Sequence, residues 1–284
     1  MAEPKAIFLD MDGTILDHYN RVSQNTKEII DRLRAKGIYV FIATGRGKDE
    51  IYTTTPEGFA VDGVISSNGM TGYLGDKKLF QHTLPVDLIN RVIEKARQQR
   101  VYYELFPTSG PCQAEQQDRA MLLEAVVGPK PDTVGINEWI EREEAIHGGI
   151  VFVDRIEGEA FSKFYCFSKE QNKMVEWGRT LEQLKQDIPF STSSSSKHNI
   201  EIMVAEKNKA TGIQSFLDAL NLTSDQILAI GDSFNDLQMF ELAGQTVAMQ
   251  NAPDEIKAIT DEVTEYSCDE EGVYHYLNDR FFVR

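Results

Sequence analysis

The sequence is short of cysteine, of long apolar runs and of positive charge, and each shortage excludes a class of protein. Its three cysteines, Cys112, Cys166 and Cys268, are odd in number, far apart and without metal-ligand spacing. They therefore predict neither a disulfide framework nor a zinc module. The five histidines form no metal-binding pair along the chain either. Because this cysteine usage suits a reducing compartment, we expect a cytoplasmic protein.

Long apolar segments are missing as well. No run approaches the roughly 18 apolar residues that a membrane helix needs, so we expect no membrane partner. The opening "MAEPKAIFLDMDG" has no charged region followed by a long apolar one. We therefore expect no secretory signal peptide.

Positive charge is the third shortage. The chain has 29 Lys and Arg against 45 Asp and Glu, which gives a formal net charge of −16. Nucleic acids and anionic membranes require clustered Lys and Arg, so the charge argues against both partners. It does not exclude a small phosphorylated metabolite, because one Lys, a few backbone N–H groups and a divalent cation supply enough local positive charge. A monomer or weak homodimer is the default expectation.

The two ends of the chain share one pattern, the alternation of buried strands with helices. With 284 residues the chain is long enough for two domains. The segments that we interpret as buried strands are "KAIFLD", "IYVFIATGR" and "VDGVISSNG" near the start, and "QILAIGD" and "TVAM" near the end. Apolar strands separated by helices predict an α/β fold, a Rossmann-like doubly wound sheet of parallel strands covered on both faces.

The middle of the chain has a different texture, and we interpret residues 83–204 as an inserted α+β domain. Its strands, such as "VYYELF" and "IEIMV", look amphipathic, as in an antiparallel sheet with one solvated face. The run "STSSSS" at 191–196 is predicted to be a flexible turn before the last inserted strand. Residues 1–82 and 205–284 then form the discontinuous core domain.

Polar residues collect where the predicted core strands end, and ligands bind at the carboxyl ends of strands in open α/β sheets. The first strand is followed by Asp10 and Asp12, the second by Thr44 and Gly45, and a later one by Asp232, Asn235 and Asp236, while Lys209 opens the helix before that later strand. We therefore expect these side chains to meet at one edge of the sheet.

The carboxylates among them predict a cation site. Asp10 and Asp12 repel each other and are costly to desolvate, so a neighbouring cation or a mobile proton is expected. If a helix begins near Asn235, then Asp232 and Asp236 lie about one turn apart and face the same point. Together with Asp10 they form an oxygen-only donor set, which suits Mg²⁺ with retained waters.

The same residues suit phosphoryl transfer. One carboxylate can attack phosphorus and form an aspartyl-phosphate, and another can protonate the leaving alkoxide and then activate water. Gly13 can re-aim Asp12 because the strand is ending there. The Thr44 hydroxyl, nearby backbone N–H groups and Lys209 can hold the phosphoryl oxygens.

At this point the sequence resembles the haloacid dehalogenase-like hydrolase superfamily, and most closely its Cof-type phosphatases with an inserted type IIB cap. The resemblance rests on the motifs "DMDGT", "ATGR", "NKATGI" and "GDSFND", and extends to "SSNG" at 66–69, "AMQNA" at 248–252 and "DEEGV" at 269–273. It covers both core segments closely, and the inserted segment by position, size and texture.

The resemblance implies a role for each motif residue. Asp10 is implied to be the nucleophile and Asp12 the acid/base. Mg²⁺ is implied to be held by Asp10, the backbone carbonyl of Asp12, and Asp232, with Asp236 supporting it through water. An Asp at position 12 also implies rapid turnover to free phosphate rather than a long-lived phosphoprotein.

Further residues are implied to contact the phosphoryl group. Thr44, Lys209 and Asn235 are implied to grip that group or to orient Asp10, and Asn68 to lie near the substrate's entry. Lys207 is an alternative to Lys209, and we choose Lys209 because "KATGI" then opens a helix.

The substrate is the least determined feature. The family's habits imply a sugar phosphate or a similar small phosphomonoester. Glu104 and Lys163 are candidate substrate contacts in the inserted segment, although solvent-facing positions on an amphipathic strand are the favoured interpretation. A sugar phosphomutase with the same core, a non-catalytic phosphometabolite sensor and a receiver-type signalling domain are the alternatives.

Overall fold

The computed structural model describes residues 3–158 and 160–283. The chain divides into two compact units, Met1–Gln81 with Lys207–Arg284, and His82–Glu206. Residues 1, 2, 159 and 284 lie outside the described residues. The predicted domains include all four of them, and the expectation of no signal peptide concerns residues 1 and 2 among others.

Strands and helices alternate through most of the chain. The strands are β1 (Ala6–Leu9), β2 (Tyr39–Ala43), β3 (Gly63–Ser66), β4 (Thr71–Leu74), β5 (Lys77–Gln81), β6 (Tyr102–Pro107), β7 (Gln113–Glu115), β8 (Val151–Val153), β9 (Phe161–Phe167), β10 (Phe190–Ser193), β11 (Asn199–Val204), β12 (Ile227–Gly231), β13 (Gln245–Ala248) and β14 (Glu262–Val263). The helices are α1 (Gln24–Ala35), α2 (Lys48–Ile51), α3 (Val86–Gln99), α4 (Arg119–Val126), α5 (Ile136–Glu144), α6 (Gln171–Leu184), α7 (Lys209–Leu220), α8 (Leu237–Leu242), α9 (Asp254–Lys257) and α10 (Gly272–Phe281).

The first unit is built on one eight-stranded sheet, in the order β14-β13-β12-β1-β2-β3-β4-β5. The first six strands in this order, from β14 to β3, pair in parallel with their neighbours. Ile7 and Leu9 pack in an apolar cluster with residues of α1 and α10, whereas Phe8 packs in a second cluster with residues of α7. Alternate side chains of β1 thus face opposite helical layers, and the predicted doubly wound α/β class is confirmed.

The sheet ends in a hairpin that the sequence interpretation did not include. Strand β4 runs antiparallel to both β3 and β5, so this edge of the sheet is not parallel. The hairpin turns at Gly75, whose φ of +55° favours glycine. Both strands are short, β4 contains Gly72 and β5 begins with two lysines, so their pattern is weak in the sequence.

Capping sets where α7 begins. The side chain of Asn208 accepts a hydrogen bond from the backbone N–H of Thr211 at 3.0 Å. This N-cap satisfies a donor that the first helical turn would otherwise leave unpaired. Lys209 is therefore the first residue of α7.

The second unit contains a six-stranded sheet in the order β10-β11-β9-β6-β7-β8. The pairings are antiparallel except for β7 with β8. Every residue of β9 and all but the last residue of β6 are buried, so the prediction that these strands have one solvated face is wrong for both. Residues of α4 and α5 belong to the same apolar cluster as those of β6 and β9, which explains the burial.

Two residue-level interpretations in this unit are also wrong. Glu104 and Lys163 do not face solvent; they are buried in ion pairs with Arg142 and Glu201, respectively. The run at 191–196 is not all turn, since its first three residues belong to β10, which pairs with β11. Backbone hydrogen bonds to β11 hold this segment in an extended conformation, although its composition alone predicts flexibility.

Candidate active site

The carboxyl ends of four neighbouring parallel strands carry the predicted site residues. Strands β12, β1, β2 and β3 lie side by side in the sheet, and the loops that follow them contain Asp232, Asp10, Thr44 and Asn68. Lys209 comes to this edge from the first turn of α7. The local strand ends thus place the predicted residues on adjacent loops.

Lys209 is buried between two carboxylates. Its Nζ donates hydrogen bonds to Asp10 Oδ1 at 2.5 Å and to Asp236 Oδ1 at 2.6 Å. Burial opposes the charge on Lys209, but the two carboxylates outweigh burial and raise the pKa of Lys209 above its ordinary value. Lys209, rather than Lys207, is therefore a permanently charged contact of Asp10.

The second carboxylate oxygen of Asp10, Oδ2, lacks a hydrogen-bond partner such as Lys209 provides for Oδ1. Asp10 Oδ2 is buried and has no hydrogen-bond partner. Burial raises the pKa of Asp10 to about 7, Lys209 opposes the rise, and the charges of Asp236 and Asp12 add to it. A buried carboxylate oxygen without a partner is costly, which indicates that a ligand completes this position.

Asp232 approaches the end of β1 because residue 13 is glycine. Gly13 has a φ of +75°, and a Cβ there would lie 2.3 Å from Asp232 Oδ2. The Thr14 hydroxyl is a long 3.4 Å from Asp232 Oδ1. Burial, followed by the negative charges of Asp10 and Asp236, raises the pKa of Asp232 well above its ordinary value. The glycine therefore serves the turn and the close approach together.

The donor set fits a magnesium ion. Ligand atoms of Asp10, Asp232 and Asp236 lie within 4.8 Å of one another, and all of them are oxygen. Both oxygens of Asp236 are already engaged, since Oδ1 accepts from Lys209 and Oδ2 accepts from the backbone N–H groups of Asp232 at 3.0 Å and Ser233 at 3.1 Å. Asp10 and Asp232 thus offer the more open oxygens, and Asp236 fixes the loop and the lysine.

Asp12 is held by an arginine for which the sequence analysis gave no role. Arg46 Nε lies 3.0 Å from both carboxylate oxygens of Asp12, and Nη2 lies 2.6 Å from Oδ1. Arg46 Nη2 also donates to Asn20 Oδ1 at 3.0 Å. The Asp12 side chain is 47% exposed, in contrast to buried Asp10. The signal for Arg46 was its place in "ATGR", at the end of the strand next to β1.

Thr44 and Asn68 are joined through the backbone. The N–H of Asn68 donates to the Thr44 carbonyl at 2.9 Å, and the Thr44 hydroxyl accepts from the N–H of Arg46 at 3.1 Å. Half-buried Gly45 lies between Thr44 and Arg46 in the chain. Asn68 is only 1% exposed, so the structure places it beside Thr44 within the fold.

The loop that carries Asn68 is packed against the start of α7. Asn68 adopts a left-handed φ of +53°, and Gly69 follows at +93°. A Cβ on Gly69 would lie 2.0 Å from the carbonyl oxygen of Asn208, the N-cap of α7. This close approach requires glycine and brings the Asn68 loop against the helix that carries Lys209.

Asn235 lies in the same turn as Asp236. It is buried, and its Oδ1 accepts a hydrogen bond from the Ser233 hydroxyl at 2.6 Å. The structure therefore joins Asp10, Lys209 and Asp236 by direct contacts and draws Asp232 beside them. Asn235 is anchored within its own turn, and Asp12 is turned toward Arg46.

Comparison with known proteins gives consistent matches over nearly the whole chain. The sequence profile of the haloacid dehalogenase-like hydrolases matches residues 7–277. A 5-amino-6-(5-phospho-D-ribitylamino)uracil phosphatase of Bacillus subtilis is 30% identical, and the alignment covers 96% of this chain and 97% of that protein.

Solved structures show the same fold. A haloacid dehalogenase-like hydrolase from B. subtilis matches with a TM-score of 0.80 at 25% identity, covering 96% of this chain and 99% of that one. A subclass IIB sugar phosphatase of the superfamily matches with a TM-score of 0.69 at 21% identity, covering 99% and 100%. Among the described residues, no helix has the length and apolar character of a membrane span.

Proposed function

We propose that this chain, which belongs to the Cof-type haloacid dehalogenase-like hydrolases, hydrolyses a small phosphomonoester with Mg²⁺ through an aspartyl-phosphate on Asp10. The chain is a phosphoric monoester hydrolase, as its motifs predicted. The observation that carries this proposal is the Asp10 carboxylate itself. One oxygen is paired with Lys209, and the other is buried without a hydrogen-bond partner. The geometry thus orients a carboxylate and leaves it incompletely satisfied.

In the first step, the Asp10 carboxylate attacks phosphorus and displaces the substrate's alkoxide. The new oxygen–phosphorus bond replaces the ester bond, so one difficult displacement becomes two easier ones. Lys209 holds Asp10 in place through Oδ1, and Asp236 holds Lys209. Mg²⁺, when held by Asp10, the Asp12 carbonyl and Asp232, supplies positive charge for the phosphoryl oxygens.

Asp12 moves the protons in both steps. Asp12 begins protonated and donates that proton to the leaving alkoxide. It then takes a proton from the water whose oxygen bonds to phosphorus as the bond between Asp10 and phosphorus breaks and inorganic phosphate leaves. The contact with Arg46 fixes where the Asp12 carboxylate rests. We assign the binding of the phosphoryl oxygens to Thr44, the Gly45 backbone, Lys209 and Asn235. Asn68 supports the loop that carries Thr44.

The substrate is proposed by analogy with the named relatives. Since one is a 5-amino-6-(5-phospho-D-ribitylamino)uracil phosphatase, that compound and simple sugar phosphates are the first candidates. The domain proposal assigns residues 1–82 and 205–284 to the catalytic core, and 83–204 to a cap that selects the substrate. Free thiols at all three cysteines support a cytoplasmic location, and we propose a monomer or weak homodimer with no nucleic acid or membrane partner.

The test is phosphate release from p-nitrophenyl phosphate and from a panel of sugar phosphates and the ribitylaminouracil phosphate. Each is measured with Mg²⁺, with EDTA, and with Asp10→Asn protein in Mg²⁺. Asp254→Asn, a change of the same chemistry at a fully exposed position, is the matched control. We expect release that requires Mg²⁺ and Asp10 but not Asp254.

Each other outcome has a definite meaning. Release by pure Asp10→Asn protein would overturn the nucleophile assignment. Conversion of a sugar phosphate to its isomer with little free phosphate would replace the proposal with a phosphomutase. Substrate binding in calorimetry without release or isomerisation would replace it with a sensor.

A further inference from the structure

Three metal-binding side chains from opposite ends of the first unit's sequence meet outside the acidic site. His18 follows the loop that carries Asp12, and Cys268 and Asp269 open the short 3₁₀ turn before α10. The metal-binding atoms of these three side chains lie within 4.8 Å of one another. His18 and Asp269 are 251 positions apart, so the spacing of histidines and cysteines along the chain could not reveal the group.

We propose that His18, Cys268 and Asp269 form a second cation site, which takes a thiophilic divalent ion such as Zn²⁺. The donors are an imidazole nitrogen, a thiolate sulfur and a carboxylate oxygen, the ligand types that zinc uses in proteins. Thiolate sulfur is a poor ligand for Mg²⁺, which prefers oxygen. The donor chemistry therefore separates this site from the oxygen-only group around Asp10.

His18 and Asp269 contact each other, and the Cys268 backbone is anchored separately, before any ion binds. The backbone N–H of His18 donates to Asp269 Oδ1 at 2.8 Å, and the His18 ring contacts Asp269 Oδ2. The backbone N–H of Cys268 donates to Asn251 Oδ1 at 2.9 Å. Preorganisation of this kind lowers the entropy cost of assembling a metal site.

Access and coordination number also suit a binding site. His18 and Asp269 are exposed and Cys268 is buried beneath them, so an ion has an approach from solvent. Three protein ligands leave a fourth tetrahedral position for water. Binding replaces the Cys268 thiol proton, which passes to solvent.

The site is mechanically joined to the catalytic loop. Asn251 accepts from Cys268 and, through Nδ2, donates to the Gly13 carbonyl at 2.8 Å. Gly13 directly follows Asp12 and packs against Asp232. An ion held by His18 and Cys268 therefore ties both ends of the segment 13–18, and we expect it to protect these backbone amides from hydrogen exchange.

Co²⁺ is the probe, because a cobalt–thiolate bond gives a charge-transfer absorption that oxygen ligands do not. Full-length protein saturated with Mg²⁺ is titrated with Co²⁺, and Zn²⁺ is then added as competitor. We expect the thiolate band to appear and Zn²⁺ to remove it. Cys268→Ser should abolish the band, and His18→Gln should weaken the apparent Co²⁺ affinity by about 100-fold or more, since losing even an outer hydrogen-bond partner costs roughly 10–100-fold.

Two control variants make the result decisive. Cys112→Ser removes a half-buried thiol outside the group and should leave the band unchanged. Asp10→Asn removes an oxygen donor of the acidic site and should leave it unchanged too. Absence of the band, its survival in Cys268→Ser, or its loss in Asp10→Asn would each overturn the second site, and none of these outcomes bears on the phosphatase proposal.

Discussion

The two units bury their charges in different ways. In the second unit, Glu104 lies 2.9 Å from Arg142, and Lys163 pairs with Glu201, so each of these buried acids has its own base; partly exposed Glu141 lies farther from Arg142, at 3.5 Å. In the first unit, one cation, Lys209, contacts both Asp10 and Asp236, and Asp232 lies beside them. Buried charges need compensation, so a matched pair is complete by itself, whereas an excess of carboxylates implies a missing cation.

The difference separates stabilising from functional ion pairs. Arg142 lies 4.0 Å over the Tyr165 ring, and Glu104 also accepts from the Tyr102 hydroxyl at 2.6 Å, so the charges of this network are balanced, although Arg142 Nε and Nη1 are buried without a hydrogen-bond partner. Around Asp10 the buried carboxylates outnumber the cation that contacts them, and the oxygen without a partner belongs to a carboxylate. Perturbed carboxylates with incomplete partners are the usual mark of a functional site.

The largest expected effect is that of Lys209→Met. Removing this cation leaves two buried carboxylates facing each other, and we expect a loss of about 3–5 kcal/mol in the unfolding free energy of the first unit at pH 8 in EDTA. The loss should shrink at pH 5, because the raised pKa of Asp10, about 7, lets it be protonated there. Activity should be lost with Mg²⁺ present.

The measurement must report on the first unit alone. The chain has two tryptophans, Trp139 and Trp177, and both belong to the second unit. Hydrogen exchange of the β1 and β12 amides therefore follows the first unit, while tryptophan fluorescence follows the second. A shift of the fluorescence transition without a change in exchange would contradict the prediction.

Glu104→Gln is the matching change in the second unit. It leaves the Arg142 charge buried, while Gln still accepts from the Tyr102 hydroxyl, so we expect a loss of about 3 kcal/mol in the fluorescence-detected transition. The double variant Glu104→Gln/Arg142→Met should recover most of the loss, since a pair replaced by apolar groups of similar volume is often neutral. If the double variant is no more stable than the single one, the pair is not self-contained.

The pH dependence of stability sharpens the comparison further. The folded pKa of Asp10, about 7, is above its unfolded value of 3.8, so the folded state holds a proton between these pH values that the unfolded state has released. This contribution is complete below pH 3.8 and is lost as pH rises through 7. In EDTA, wild-type protein should thus lose up to about 4 kcal/mol relative to Asp10→Asn over this range.

Hydrogen exchange of β1 from pH 4 to pH 8 gives the two stability profiles. Adding Mg²⁺ at pH 8 should raise the stability of the wild type and leave Asp10→Asn nearly unchanged, because bound ligand stabilises only the state that binds it. Parallel profiles for the two proteins would show that Asp10 titrates alike in the folded and unfolded states.

The smallest effect on stability is expected at Arg46. Because Asp12 is half exposed, Arg46→Ala should cost less than about 1 kcal/mol in unfolding free energy. Turnover should fall by up to about 100-fold, since a small displacement of a catalytic group is costly. Arg46→Lys should recover little, because Lys cannot reproduce the two-pronged contact with Asp12. A turnover equal to wild type in Arg46→Ala would show that Asp12 does not depend on this contact.

Much of this fold was visible in the sequence. Strands β1, β2, β3 and β12 are continuous apolar runs, and β1, β3 and β12 are buried throughout, so the apolar runs alone locate them. Asp10 and Asp232 directly follow β1 and β12, so locating the strands also located these carboxylates. Strands β4 and β5 were missed because they are short and mixed in character. The burial of Glu104 and Lys163 was missed because each charge is neutralised by a residue more than 30 positions away.

By itself, the sequence determined the α/β class, the strand ends that carry the acidic residues and the choice of Lys209 over Lys207. These features follow from local periodicity and from capping, which act within a few residues. Tertiary structure alone decided which Asp10 oxygen is left open, that Asp12 pairs with Arg46, and that His18 meets Cys268. Such contacts depend on strand order and on the path of the chain across the sheet, which local patterns do not encode.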